Sequence, residues 1–212
     1  MRKITTQNWN YIYTLSGHSD GVTALDISFD GRYLASVSWD QTLRIWSLET
    51  GALIASSVAH TQGLLAVTFT GFVHGNYYLA TGGFEQNIRL WRFTPGNTEE
   101  RMLTSTHTLT GHVGSIRVLA IAPDGQTLIS GSYDQTVKQW NLNRKVMLCS
   151  SYDPLGAINA ITVSKDGNMI ASAGEDGSIN CWQLGSGKIL SFLSGNVYSV
   201  KSLVFSPDGK SL

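Results

Sequence analysis

Short runs of alternating apolar and polar residues, separated by turn-forming residues, cover most of this chain. Between residues 22 and 57 the segments VTALDIS, YLASVS, TLRIW and ALIASS follow one another. They are rich in β-branched and aromatic residues, which favours strands over helices. Asp-Gly pairs, typical of tight hairpins, stand where the first segment must reverse into the second. They are Asp30-Gly31, Asp124-Gly125, Asp166-Gly167 and Asp208-Gly209. The pattern predicts an all-β protein built from units of four antiparallel strands.

The four-strand pattern recurs with chemical markers at constant offsets. The third segment of each unit ends at Trp46, Trp91, Trp140 or Trp182, which are separated by 45, 49 and 42 residues. An acid stands six positions upstream, at Asp40, Glu85, Asp134 and Asp176. A hydroxyl stands ten positions upstream, at Ser36, Thr81, Ser130 and Ser172. Gly17-His18 and Gly111-His112 each lie 22 residues before the acid of their unit. A period of this length indicates a repeat architecture.

These residues resemble the WD-repeat (WD40) β-propeller family, and the PDGxxL turns resemble those of bacterial multi-repeat WD proteins. The resemblance covers residues 11–212, after an N-terminal tail at 1–10. It implies an all-β propeller with four full blades and a single strand left over at each end, hence an incomplete ring. The repeat units span about 15–57, 58–106, 107–151 and 152–193, with a partial unit at 194–212.

The resemblance also implies a hydrogen-bonded chain in each blade, from the tryptophan indole to the hydroxyl, to a histidine, to the acid. The first unit offers Trp46, Ser36, His18 and Asp40, and the third offers Trp140, Ser130, His112 and Asp134. The second offers Trp91, Thr81, His60 and Glu85, where the longer acid puts the geometry in question. The fourth offers Trp182, Ser172 and Asp176, but Pro154 stands in the histidine column, as Asn196 does in the fifth. Units 1 and 3 are therefore expected to be rigid and unit 4 softer.

A serine, a histidine and an acid are also the components of a hydrolytic triad. In these units, however, the hydroxyl is expected to face a tryptophan inside the blade, and a catalytic site is not normally duplicated along one chain. We therefore predict no catalytic residue, and a hydrolase on the propeller face is the minor alternative.

Two rings of residues are expected on the upper face, the side of the propeller that carries the turn after each second strand and the connections between units. The residues before the acids are Trp39, Phe84, Tyr133 and Glu175. The first-strand residues five after the histidine column are Thr23, Leu65, Arg117, Asn159 and Lys201. Exposed aromatics are typical anchors of protein interfaces. They predict a non-catalytic scaffold that binds a peptide or protein, unless the rings only pack over neighbouring turns. A regulatory or sensor module of a larger signalling enzyme is the alternative.

A second surface is expected on the opposite, lower face, because unit 2 carries two insertions. Trp91 and His112 are 21 residues apart, against 14 for the other units, and three more residues lie between His60 and Glu85. Tolerated loop growth explains such insertions. The sharper hypothesis is a docking knob formed by Phe72, His74, Glu99, Glu100 and Arg101.

Charge and cysteine content exclude several other functions. Fifteen basic and fifteen acidic residues give a net charge of zero, so we predict no binding to nucleic acid or to a membrane surface. Cys149 and Cys181 cannot build a disulfide framework or a zinc site and are expected to be buried thiols. No cofactor or metal is predicted, and a reducing cytoplasm is the expected location.

The two ends of the chain predict unpaired strands. Residues 11–15 (YIYTL) resemble an outer strand and residues 200–205 (VKSLVF) an inner one, each without the rest of its blade. Unpaired strands are a liability. We expect a fragment of a longer propeller, with closure by a second chain or a four-bladed ring as alternatives. Self-association through open strand edges is a further expectation.

Overall fold

The protein is an all-β propeller segment of four blades. The computed structural model describes residues 12–97, 102–153, 156–209 and 211–212. Sixteen strands within these ranges form four antiparallel sheets. Blade 1 contains β1 (Val22–Ile27), β2 (Tyr33–Ser38), β3 (Thr42–Ser47) and β4 (Leu53–Val58). Blade 2 contains β5 (Leu64–Val73), β6 (Asn76–Gly83), β7 (Ile88–Phe93) and β8 (Leu103–Leu109). Blade 3 contains β9 (Ile116–Ile121), β10 (Thr127–Ser132), β11 (Thr136–Asn141) and β12 (Val146–Tyr152). Blade 4 contains β13 (Ile158–Val163), β14 (Met169–Gly174), β15 (Ile179–Gln183) and β16 (Ile189–Leu193).

The Asp-Gly turns form where the sequence predicts them. In blade 1, Gly31 has a φ of 71° and donates its backbone N–H to the Ser28 carbonyl oxygen at 2.8 Å. The Asp30 carboxylate accepts the Ser28 hydroxyl at 2.7 Å, which closes the turn from the side-chain end. Glycine adopts this left-handed conformation without the steric cost that a Cβ brings. The chain can therefore reverse between β1 and β2 on the lower face.

The core lies between the blades rather than inside any one of them. Three apolar clusters join blades 1 and 2, blades 2 and 3, and blades 3 and 4. Trp91, Trp140 and Trp182 each belong to the cluster that packs against the preceding blade. A blade is a sheet with two apolar faces, so it is stable only when a neighbour covers each face.

Blade 1 has one face that no other described blade covers. Leu25 and Ile27 of β1 are 58% and 53% exposed. The residues at the same register in blade 2, Val67 and Phe69, are 6% and 1% exposed because they pack in the cluster shared with blade 1. The difference comes from the missing neighbour, since all four side chains are large and apolar.

The segments expected to be unpaired strands are not strands in the structure. Residues 12–15 and 200–205 have no β-ladder, because neither has a partner strand within the described ranges. Val200 still donates its N–H to the Gly174 carbonyl oxygen of blade 4, at 3.0 Å. The Asp208-Gly209 turn also forms, with Gly209 N–H donating to the Ser206 carbonyl oxygen at 2.8 Å. The turn is thus encoded locally, whereas the strand requires a neighbour. The N-terminal tail at 1–10 and Tyr11 lie outside the described residues.

The first insertion of unit 2 lengthens a hairpin on the lower face. Strands β5 and β6 extend to residues 73 and 76 and are joined by His74 and Gly75, whose φ values are 48° and 81°. Phe72 is half exposed, and its ring packs on Tyr77 with centroids 4.6 Å apart. Glu99, Glu100 and Arg101 of the second insertion lie outside the described residues.

The two cysteines are free thiols. Cys181 is buried in β15, as the sequence predicts. Cys149 is only half buried, because it lies in the outer strand β12 beside the Ser186 carbonyl oxygen of the next blade. The described part of the chain contains no helix long and apolar enough to cross a membrane.

Candidate functional site: the upper face

In the turn between the second and third strands of a blade, two adjacent side chains point in different directions. In blade 1, Gln41 donates its N–H to the Ser38 carbonyl oxygen at 3.2 Å and has a φ of 71°. This is a three-residue hairpin loop that ends in a left-handed residue. Trp39 lies at the outer corner of the loop and remains exposed, while the next residue, Asp40, turns inward. The same arrangement places Phe84 and Tyr133 at the corners of blades 2 and 3, whereas in blade 4 Glu175 lies at the corner and the next residue, Asp176, stays exposed.

A chain of hydrogen bonds lies beneath this turn in blade 1. The Trp46 indole donates to the Ser36 hydroxyl oxygen at 2.7 Å, and that oxygen lies 2.8 Å from His18 Nε2. His18 Nδ1 lies 2.8 Å from Asp40 Oδ2. A carboxylate only accepts, so His18 Nδ1 carries the proton that bonds Asp40. Blade 3 repeats the chain through Trp140, Ser130, His112 and Asp134, at 2.8, 2.7 and 2.8 Å.

Blade 2 completes the same chain although its acid is a glutamate. Glu85 Oε2 lies 2.8 Å from His60 Nδ1, and Thr81 links His60 to Trp91 through two contacts of 2.9 Å. The extra methylene of Glu85 is accommodated because its other oxygen, Oε1, accepts the backbone N–H and the hydroxyl of Thr61. Thr61, which follows the histidine, therefore allows the longer acid to complete the network.

Blade 4 keeps only half of the chain among its described residues. The Trp182 indole donates to the Ser172 hydroxyl oxygen at 2.8 Å. Asp176 is exposed and accepts only a local turn bond, from the Ser178 N–H at 3.3 Å, so the structure does not include it in the network expected from the sequence. The physical reason is the absence of a histidine to bridge it to the serine. Pro154 itself lies outside the described residues.

Blade 4 also contains a buried hydrogen-bonded pair that the sequence pattern did not predict. The Asn180 amide donates to Asp153 Oδ2 at 2.7 Å, and both residues are buried. Asn180 lies two positions before Trp182, where the other blades carry Arg44, Arg89 and Lys138. The sequence signal for this pair is an uncharged amide two residues before the closing tryptophan, in a unit that also carries the Asp-Pro pair at residues 153–154.

The network acids of blades 1 to 3 and the histidines of blades 2 and 3 have shifted pKa values. Burial alone would raise the pKa of Asp40 and of Asp134, but hydrogen bonds from Thr42 and Thr136 and from the histidines hold both below the ordinary range. Burial opposes ionisation of Glu85 as well, yet the two bonds from Thr61, together with His60 and Arg89, hold its pKa at about 2. For His60 and His112, burial dominates and lowers the pKa. The networks of blades 2 and 3 therefore combine neutral imidazoles with ionised acids at neutral pH.

The network hydroxyls are poorly placed for catalysis. Ser130, His112 and Asp134 have the connectivity of a hydrolytic triad. However, Ser130 is fully buried, and its oxygen already accepts the Trp140 indole proton. A nucleophile must reach a substrate carbonyl beside an oxyanion hole, and this hydroxyl faces the interior of its own blade. The arrangement stabilises the turn that carries the exposed aromatic residue.

The second ring of upper-face residues is positioned by β-bulges. The register between the first and second strands shifts between Val22 and Ala24 in blade 1, which leaves Thr23 out of the ladder. The same shift leaves out Leu65 in blade 2, Arg117 in blade 3 and Asn159 in blade 4. A bulge re-aims one side chain without ending the strand. The four residues thus turn away from the sheet and toward the upper face, a feature that the sequence pattern did not reveal.

Both rings meet at one open pocket of about 750 Å³, which we call the upper-face pocket. It is lined by Val22, Thr23, Trp39, Leu65, Phe84, Ser115, Arg117, Tyr133, Asn159 and Lys201. Eight of these are residues singled out from the sequence, and they come from all five repeat units. Val22 and Ser115 were not anticipated, because nothing in their local sequence separates them from ordinary strand-end residues. Trp39, Phe84 and Tyr133 are 52%, 44% and 56% exposed.

Arg117 is held in place from three sides. Its guanidinium carbon lies 5.0 Å from the centroid of the Tyr133 ring, within the range of a cation–π contact. Its Nη1 donates to Glu175 Oε1 at 3.0 Å and to the Asn159 side-chain oxygen. Asn159 in turn donates to the Ser199 hydroxyl oxygen at 3.0 Å. Glu175 does not line the pocket, but it fixes the arginine that does.

Comparison with known proteins identifies the repeats directly. The model of the family described as "WD domain, G-beta repeat" matches residues 9–47, 103–141 and 146–183. These segments cover most of units 1, 3 and 4, whereas of unit 2, which has the glutamate and the two insertions, the model matches only residues 103–106. Blade 2 nevertheless has the same strands and the same hydrogen-bond chain as blades 1 and 3.

Curated relatives with WD repeats are longer than this chain. It is 31% identical over 66% of its length to the B-type cell cycle switch protein ccs52A of Medicago truncatula, and covers 37% of that protein. It is 30% identical over 63% of its length to Protein FIZZY-RELATED 2 of Arabidopsis thaliana, covering 35% of it. It is 31% identical over 63% of its length to WD repeat-containing protein 18 of Bos taurus, covering 32% of it. These are plant and animal proteins, so the likeness to bacterial arrays stays a prediction.

Proposed function

Since the chain belongs to the WD40 family of WD-domain, G-beta repeat proteins, we propose that it is a non-catalytic interaction module that binds a peptide or protein segment in the upper-face pocket. The convergence of Trp39, Phe84 and Tyr133 on one open pocket carries this proposal. Rigid aromatic rings that remain half exposed give up much apolar surface to a partner at little entropic cost. The networks beneath them hold the rings in place before binding.

The aromatic rings also make the contacts that a purely structural role requires. An added Cβ on Gly21 would lie 3.4 Å from the Trp39 ring, so the indole packs over that turn. Yet about half of each aromatic side chain remains open to solvent. Packing over a turn therefore accounts for one side of the Trp39 ring, and the exposed surface of all three rings is available to a partner.

The experiment is a selection of displayed random peptides on the immobilised chain, followed by titration of the selected peptides. Replacing Trp39, Phe84 and Tyr133 together by alanine should weaken binding by about tenfold or more, since such anchors carry most of an interface's energy. Phe72 is half exposed on the lower face, so Phe72→Ala is the matched control and should leave binding unchanged. If the triple variant binds within about twofold of the wild type while Phe72→Ala abolishes binding, the knob of unit 2 is the binding surface instead.

A second proposal is self-association of this chain. It is supported by the uncovered face of blade 1, where Leu25 and Ile27 are exposed while their counterparts in blade 2 are buried. Exposed apolar surface of this kind is an association site in soluble proteins. Larger assemblies, other partners and a cytoplasmic location also remain proposals, because the chain spans about a third of the relatives it matches.

A further inference from the structure

The two halves of the upper-face pocket differ in chemistry. The half at blades 1 and 2 is lined by Val22, Trp39, Leu65 and Phe84 and holds no charged side chain among its described residues. Gly63 lies between the two rings, where an added Cβ would be 3.2 Å from Trp39 Cδ1 and 3.4 Å from Phe84 Cδ2. Gly63 has no side chain, so the two rings close over its backbone and form one continuous apolar wall of the pocket with Leu65. The half-exposed faces of Trp39 and Phe84 can cover an aliphatic or aromatic side chain that lies against this wall.

The half at blades 3 and 4 and the partial fifth unit is cationic. Arg117 and Lys201 line it, and no carboxylate belongs to the described lining. Glu175 bonds Arg117 from outside the pocket and occupies only Nη1, together with Asn159. Within the described residues, Nε and Nη2 of this partly exposed guanidinium have no hydrogen-bond partner. Two donors on one guanidinium edge match the two oxygens of a carboxylate.

The anchoring of Arg117 favours a ligand that uses it directly. Glu175, Asn159 and the Tyr133 ring restrict the side chain before any ligand arrives. Less conformational entropy is then lost when the remaining donors engage a carboxylate. A basic ligand would instead meet two cations at close range, and a wholly apolar one would cover donors without satisfying them.

From these contacts we propose that the upper-face pocket selects an extended peptide segment that pairs an apolar side chain with a carboxylate side chain. The apolar side chain packs on the exposed faces of Trp39 and Phe84, and the carboxylate binds Arg117 with support from Lys201. This inference rests on the proposed function and specifies its ligand. The two ends of the pocket give the bound segment a fixed direction, from the apolar end at blades 1 and 2 to the cationic end at Arg117 and Lys201.

The test begins with the displayed random peptides already described and asks which residues are enriched. We expect an acidic residue at a constant spacing from an apolar one. Changing that acid to its amide in a synthetic peptide should weaken binding to the wild-type chain by about tenfold. The same change should cost less than about twofold on the Arg117→Gln, Lys201→Gln double variant, because the acid has then lost its partner.

Control variants separate this effect from a change in overall charge. Arg32→Gln with Lys188→Gln removes two exposed cations from lower-face turns and should leave the acid-to-amide ratio at about tenfold. Equal acid-to-amide ratios in the wild type and the Arg117/Lys201 variant, or enrichment of basic residues, would overturn the inference while binding through the aromatics still stands. Loss of all aromatic-dependent peptide binding would instead overturn the proposed function itself.

Discussion

The buried hydroxyl of each blade links an indole to an imidazole, so its removal affects two groups at once. In blade 3, Ser130 accepts the Trp140 indole proton and contacts His112, and all three residues are buried. Ser130→Ala leaves both nitrogen atoms without this partner inside the blade. We expect the free energy of unfolding to fall by about 1 to 3 kcal/mol, measured by urea denaturation.

An exposed serine provides the comparison for Ser130. Ser202 is exposed, and Ser202→Ala should change the free energy of unfolding by less than about 0.5 kcal/mol. Equal losses in the two variants would mean that the hydroxyl of Ser130 contributes nothing beyond an ordinary surface serine, contrary to the network described above.

The shifted histidines make stability depend on pH. The folded-state pKa of His60 and of His112 lies below the ordinary value of 6.5, so the unfolded chain binds protons first as the pH falls. The stability contributed by the neutral rings is complete above about pH 6.5 and is lost progressively below it. A second loss follows below about pH 4. There the carboxyls of Asp40, Asp134 and Glu85 take up protons in the unfolded chain first, because their pKa values are lowered in the folded protein.

Urea unfolding between about pH 7.5 and pH 5 measures the first of these losses. We expect the free energy of unfolding to decrease over this interval, and the slope to be shallower in His112→Gln, which removes one titrating ring. The comparison uses the slope, because the variant is less stable at every pH. A slope unchanged by the substitution would place the titration elsewhere in the protein.

Strands and turns were largely predictable from the sequence because their signals are local. The four segments quoted from unit 1 correspond to β1 to β4, and the Asp-Gly pairs form turns even where no strand follows, as at Asp208-Gly209. The bulges that aim Thr23 and Arg117 at the pocket were not predictable, because they arise from pairing with the neighbouring strand. The fit of Glu85 was missed for a similar reason, since it depends on Thr61 of another segment.

The turn after the second strand has two solutions in this chain, and they predict opposite effects of substitution. Blade 4 uses Gly177 at a φ of 83°, where an added Cβ would lie 2.7 Å from the Asn196 carbonyl oxygen and 2.8 Å from that of Tyr198. We expect Gly177→Ala to lower the free energy of unfolding by more than about 1 kcal/mol. Blade 2 uses Gln86 at a φ of 67°, so Gln86→Gly should be neutral or stabilise by up to about 1 kcal/mol.

Thermal and urea unfolding of the two variants check this prediction together. The pair is informative because both residues have a left-handed backbone, while at Gly177 an added Cβ would also press on two carbonyl oxygens. If Gln86→Gly destabilised the protein as much as Gly177→Ala, the left-handed conformation would not be the source of the cost.

At the scale of the whole molecule, stability depends on contacts between blades more than on motif completeness within them. The family model leaves most of unit 2 unmatched. Even so, Phe69 and Trp91 pack into the cluster shared with blade 1. Ala66 and Leu90 pack into the cluster shared with blade 3. A blade with neighbours on both sides tolerates departures from the motif, because most of its apolar surface is buried by those neighbours. Blade 1 has such a neighbour on one side only among the described blades.

The uncovered face of blade 1 therefore determines how the isolated chain behaves in solution. We expect the 212-residue chain to self-associate as its concentration rises, because Leu25 and Ile27 present the apolar surface that other blades bury between them. Size-exclusion chromatography with light scattering measures the effect.

Leu25→Glu with Ile27→Glu should shift the molar mass toward the monomer, since a charge on each side chain opposes burial. Leu53→Glu with Val58→Glu places the same charges on the exposed outer strand β4 and should leave association unchanged. Dissociation by the β4 pair alone would assign association to the strand edge instead of the blade face, and a wild-type monomer at every concentration would rule out both.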